Sequence, residues 1–139
     1  MKYLLDANVL SEPTKSQASP SVGRWLELHA DECVAEVVVM AEIWRGIDAL
    51  PGGKRKEALE AWFAQVRKAL PTLGWGMDAA IEWGAMVNRV KRAGFTVGIT
   101  DAMIAATAKA HGLTVATRNV DDFVRCGVAV VNPFEQLHS

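Results

Sequence analysis

This 139-residue chain contains only two cysteines, Cys33 and Cys126, and they form no C-x-x-C pair. So few thiols exclude a disulfide framework and argue against a zinc or redox-pair site; free thiols in a reducing cytosol are the default. Histidine is equally sparse, and His29, His111 and His138 lack the spacing of metal ligands. Neither sign of charge dominates. With 15 Lys and Arg against 16 Asp and Glu, the net charge of −1 excludes binding that relies on bulk positive charge. Basic residues do cluster at Lys54-Arg55-Lys56, Arg67-Lys68, Arg89 with Lys91-Arg92, and Arg118, each reading first as a solvated helix face. No apolar run approaches the ~20 residues that cross a bilayer, and Asp6 interrupts any signal-peptide core. A cytoplasmic protein without a membrane partner is expected. Missing too are the G-x-S-x-G elbow, the phosphate-binding G-x-x-x-x-G-K-[ST] loop and the G-x-G-x-x-G fingerprint.

What remains is ordinary globular material: half the residues are apolar and 22% are charged. The length suits one domain over residues 1–139 with a real core. Lys2 to Leu5 reads as a buried strand, and Asn8 is placed to cap a short helical turn. After the Ser/Pro-rich loop from Ser11 to Pro20, a helix spans Val22 to His29. Cys33 to Val37 is strand-like, and Val38 to about Leu50 is helical. Pro51-Gly52-Gly53 breaks the chain. The spacing of Ala58, Trp62, Phe63, Val66 and Ala69 or Leu70 then predicts an amphipathic helix over Lys54 to Leu70. Pro71 to Gly76 is a second break, followed by a helix from Met77 to Ala93. Thr100 reads as the cap of an alanine-rich helix closed at Gly112. Leu113 to Ala116 and Val128 to Val131 complete the strands. Strands alternating with helices imply an α/β sandwich with a mostly parallel sheet.

Four apolar stretches each carry an acid that packing alone would not place there: Asp6, Glu42, Asp101 and Asp122. Desolvating a carboxylate is costly, and Asp and Glu are rarely buried unless paired or metal-bound. Taken singly, Asp6 reads as a strand-end turn, Asp101 as an acid in a helix's first turn, and Asp121 and Asp122 as surface loop. Taken together, at the carboxyl ends of parallel strands, the four predict one acidic pocket. Clustered carboxylates with no cation of their own suit Mg²⁺ or Mn²⁺ and the hydrolysis of phosphodiesters. The five tryptophans (Trp25, Trp44, Trp62, Trp75, Trp83) read first as core, and any exposed subset would mark an interface.

In this order the motifs resemble the PIN-domain nucleases, and most nearly the VapC/FitB-type toxins of toxin–antitoxin pairs. Asp6-Ala7-Asn8-Val9-Leu10-Ser11-Glu12 resembles the opening D-x-N-V-L-S-E, and Glu42-Ile43-Trp44-Arg45-Gly46 the second motif, E-[LI]-x-x-G. Asp101 to Ala108 is similar to D-x-x-I-A-A-T-A, Thr117 to Phe123 to T-R-N-x-x-D-F, and Asn132-Pro133-Phe134 to the closing N-P-[WF]. The resemblance implies a PIN-like (Rossmann-like) three-layer sandwich and an Mg²⁺- or Mn²⁺-dependent endoribonuclease. Asp6, Glu42, Asp101 and Asp122 would serve as catalytic and metal-ligating residues, with Asp122 ranked above Asp121. Asn8, Thr117 and Asn119 would hydrogen-bond those carboxylates, while Arg45 and Arg118 would hold the RNA backbone. It also implies a small cognate antitoxin and a homodimer or larger toxin–antitoxin hetero-oligomer. Ala7 departs from the family's frequent Thr. The Ile99-Thr100 lead-in to Asp101 departs from relatives with a proline there. Two rivals stand beside this reading. A haloacid-dehalogenase-type phosphatase would need a second Asp where Asn8 stands, and a non-catalytic binding module would have no use for four acids.

Overall fold

Five strands pair in parallel in the order β3-β2-β1-β4-β5, in a computed structural model that describes residues 1–135. The strands are β1 (Tyr3–Leu5), β2 (Cys33–Glu36), β3 (Thr72–Leu73), β4 (Thr114–Ala116) and β5 (Val130–Val131). Seven α-helices flank them: α1 (Ala7–Leu10), α2 (Pro20–Leu28), α3 (Val37–Asp48), α4 (Lys54–Ala69), α5 (Met77–Arg92), α6 (Ile99–His111) and α7 (Val120–Arg125). The result is a three-layer α/β sandwich. Of the histidines noted above, His138 lies outside the described residues.

Parallel strands covered on both faces should be largely apolar, and the central residues of these strands are. Leu4, Val34, Ala35 and Val115 are fully buried, and Leu5 nearly so. The chain lays β2 and β3 on one side of β1, then returns to place β4 and β5 on the other. That reversal puts a crevice between the carboxyl ends of β1 and β4, where open α/β sheets bind their ligands. Behind it runs α6, whose Ala102, Ala105, Ala106 and Ala108 are buried, permitting close approach to β4 and α5. Ala110 points outward. Gly112 ends the helix at φ 66, a left-handed turn that other side chains resist.

Several expectations are corrected. Asp6, not Asn8, caps α1, because its carboxylate accepts from the Ala7 N–H at 2.8 Å. The second helix begins at Pro20, whose missing N–H costs nothing in a first turn, with Ser19 as its cap. Strand β2 stops at Glu36, whose side chain caps α3, so Val37 belongs to the helix. Glu42 stands in the middle of that helix. Helix α6 begins at Ile99 with Gly98 as cap, leaving Thr100 inside it. The Pro71–Gly76 break contains β3, an edge strand of two residues, too short for a pattern to reveal. Residues 120–125 form α7 rather than a loop. Helix α4 buries no residue completely; Leu59, Trp62, Phe63, Val66 and Leu70 lean on the core, while Ala58 and Ala69 are exposed.

Candidate active site

The crevice between β1 and β4 is assembled from the residues that follow each strand. Asp6 comes directly after β1 and its N–H donates to the Ala116 carbonyl at 2.9 Å, extending the ladder by one step. Thr117 comes directly after β4 and is fully buried. The Thr117 hydroxyl donates to Asp6 Oδ2 at 2.7 Å, and Asn8 Nδ2 adds a 3.3 Å bond to the same oxygen. With the Ala7 bond, three donors fix a carboxylate that is only 5% exposed. Burial nevertheless raises its pKa above 3.8, because desolvation outweighs those hydrogen bonds.

The β4–α7 loop supplies the second anchor. Asn119 Nδ2 donates to Asp101 Oδ2 at 2.7 Å and to Asp122 Oδ2 at 2.9 Å, tying the start of α6 to the start of α7. The Asn119 N–H donates to Thr117 Oγ1 at 2.9 Å, and the Arg118 N–H to Asn8 Oδ1 at 3.1 Å. One loop thus grips three of the four acids. Asp101, pushed up to about 6, feels desolvation first and then the charges of Asp6 and Asp122, with the Asn119 bond opposing. Glu42, on α3, is also raised, by desolvation and then by Asp6 and Asp101, while Arg45 one turn later opposes the shift. These shifts show that the four acids share one electrostatic neighbourhood. Asp122 also lies 3.5 Å from Arg125 Nη1, whereas Asp121 faces solvent on α7.

Two buried acids were not singled out by the sequence reading. Glu36 is fully buried at the end of β2; its Oε1 accepts from the Val38 N–H at 2.8 Å and its Oε2 has no partner. Desolvation pushes it up to about 7, with Glu42 adding a smaller push. The signal was present, because Val34 to Met40 is apolar apart from this one acid. Glu12, 4% exposed, sits in the single 3-10 turn after α1. Its Oε2 accepts from the Ser19 N–H at 3.0 Å, and Oε1 lies 3.1 Å from Lys15 Nζ and 3.8 Å from Arg118 Nη2. The Ser19 bond, and then Lys15, hold its pKa below 4.5. Arg45 and Arg118 are both exposed, and the Arg118 guanidinium stacks 3.7 Å from the centre of the Phe134 ring.

Among the described residues, no three His, Cys, Asp or Glu side chains already stand at ligating separation. The donor chemistry nevertheless fits a hard divalent cation. Asp6, Glu42, Asp101 and Asp122 offer only oxygen, and they repel one another. The cysteines are no alternative. Both are free and buried, with thiols pushed up to about 11 chiefly by desolvation.

The PIN domain family profile matches residues 3–128 of the chain. The chain is 33% identical over 136 residues to the VapC ribonuclease Y4jK of Sinorhizobium fredii, spanning 95% of this chain and 97% of that relative. To the toxin FitB of Neisseria gonorrhoeae it is 35% identical over 137 residues, 94% of this chain and 97% of FitB. The solved structure of FitAB bound to an IR36 DNA fragment superposes with a TM-score of 0.92 at 32% identity, covering 98% of each chain.

Proposed function

Because this chain belongs to the PIN-domain family, we propose that it is a metal-dependent endoribonuclease toxin. It hydrolyses RNA phosphodiester bonds at Asp6, Glu42, Asp101 and Asp122 and is silenced by a cognate antitoxin. One observation carries the reading: four acids come from four separate segments beside the sheet's switch point, where, after burial itself, Asp6 raises the proton affinity of Glu42 and Asp101, and Asp122 raises that of Asp101. Without a counter-ion this pocket repels phosphate, so an Mg²⁺ or Mn²⁺ requirement follows from the charges. Held by these carboxylates, the cation supplies Lewis acidity, activating water and neutralising charge on the phosphate and the leaving oxygen.

The chain's own residues do the positioning. Thr117, Asn8 and the Ala7 N–H hold the Asp6 carboxyl group in place. Asn119 sets the spacing of Asp101 and Asp122. Arg45, exposed beside Glu42, is suited to an RNA phosphate, a contact that positions the strand without reading its sequence. The likeness to FitB, a named toxin solved in a FitAB complex, supports a small antitoxin partner. Exposed Met77, Ile81 and Ile99, at 67–74%, support a homodimer or larger assembly that covers them.

The test uses purified protein, RNA and Mg²⁺ or Mn²⁺. Cleavage should stop with EDTA and fall at least a hundredfold in Asp6→Asn, in line with loss of a metal-ligating charge. Cleavage that survives either change would sink the reading.

A further inference from the structure

We propose that Glu12, Arg118 and Phe134 form a clamp that holds the β4–α7 loop, making Arg118 a positioning residue for the acids. This rests on the reading of those acids as the metal-binding site.

The loop is short, and its two grips on the acids, Thr117 and Asn119, flank Arg118. Where Arg118 goes, both grips go. Its backbone is pinned by the bond from its N–H to Asn8, and its side chain is held at two further points. The guanidinium lies 3.7 Å over the Phe134 ring, a cation–π stack whose flat geometry favours arginine over lysine. Its Nη2 lies 3.8 Å from Glu12 Oε1.

Both anchors are built rather than incidental. Phe134 sits in a turn fixed by its own N–H to Asn132 Oδ1 at 3.0 Å. Ser21 Oγ on α2 braces that turn, donating to the Pro133 carbonyl at 2.8 Å. Glu12 is buried by its surroundings; Oε2 takes the Ser19 N–H, while Oε1 accepts no hydrogen bond and is faced by the cations of Lys15 and Arg118. A buried carboxylate in that position draws a cation towards it. A guanidinium engaged on both sides in this way is placed to hold its own loop, and less free to seize a phosphate.

Three variants test this: Phe134→Leu, Glu12→Gln and Arg118→Gln. Backbone amide exchange at Arg118 and Asn119, measured without metal or RNA, should quicken by about tenfold in all three, because local opening becomes easier. Calorimetry with Mn²⁺ alone should show roughly tenfold weaker binding, the scale expected when carboxylate support is lost. On an oligoribonucleotide kcat should fall while KM and its salt dependence hold. The clamp is overturned if Phe134→Leu and Glu12→Gln leave exchange and Mn²⁺ binding unchanged. It is equally overturned if Arg118→Gln alone raises KM and lowers the salt slope by about one phosphate contact. Should Phe134→Leu fail to fold, Glu12→Gln carries the same test without a change of packing. The exchange result decides the clamp even if the wild type cleaves no RNA, so the two readings fail separately.

Discussion

Replacing Asp101 with asparagine should abolish cleavage and at the same time stabilise the metal-free protein. Burial and the neighbouring carboxylates raise Asp101 from 3.8 to about 6, so the folded state prefers its protonated form. At about 1.4 kcal/mol per pH unit, ionising it in the fold costs up to about 3 kcal/mol. Its partial exposure and the screening by water reduce that to about 1.5 kcal/mol. Because the folded pKa lies above the unfolded one, the cost is absent below about pH 4. It grows as pH rises through the interval and is complete above about 6. Asparagine removes the charge and keeps an oxygen for the Asn119 amide, which donates at 2.7 Å. In EDTA at pH 8, Asp101→Asn should therefore melt about 5 °C above the wild type, with the gap closing towards pH 4. Thermal unfolding followed by circular dichroism, paired with an RNA cleavage assay, reads both effects. A variant no more stable than the wild type at pH 8 would refute the claim that these acids strain the fold.

Mn²⁺ affinity should fall as pH drops through about 6, because Asp101 must release its proton to bind a cation, and the raised Glu42 acts in the same direction; calorimetry across pH 5–8 tests it. Glu36, raised to about 7, makes the protein lose stability as pH climbs from 4.5 past 7, and Glu36→Gln should flatten that slope in urea titrations. Thr117→Val removes the 2.7 Å bond to Asp6 at nearly constant volume and should cost about 1–2 kcal/mol of stability in the same titration, with a cleavage loss beyond tenfold.

The fold was legible wherever a run was long or its ends were marked. The Met77 helix, the Gly112 stop and the three buried strands that flank the site show this directly. What escaped was short or sat at a boundary. Two residues of β3 carry no period, and α7 hides behind Asn119, whose side chain is committed to carboxylates rather than to capping. The four acids stood out in the sequence because charge inside an apolar run is anomalous. Glu36 meets the same criterion, yet its place in a strand-like run masked it. Glu12 is different: its neighbours Ser11 and Pro13 look like loop, and burial there arises only from tertiary contact.

That burial suggests how a chain of this size tolerates so concentrated a charge. Six carboxylates at the carboxyl end of one sheet cannot all be relieved by the protein, and the structure relieves them unequally. Glu12 is met by the Ser19 N–H and then by Lys15 and Arg118, and its pKa falls. Asp6 receives three hydrogen bonds and is still raised, while Asp101 and Glu42 are left to repel their neighbours. Fully burying Leu4 and almost all of Leu5 contributes roughly 1.5–3 kcal/mol each, enough to offset one strained acid at the end of the same strand. A carboxylate whose charge the protein does not answer keeps its affinity for a cation. The unequal relief therefore separates Glu12, whose charge is met inside the protein, from Asp101 and Glu42, whose proton affinity is raised by their neighbours.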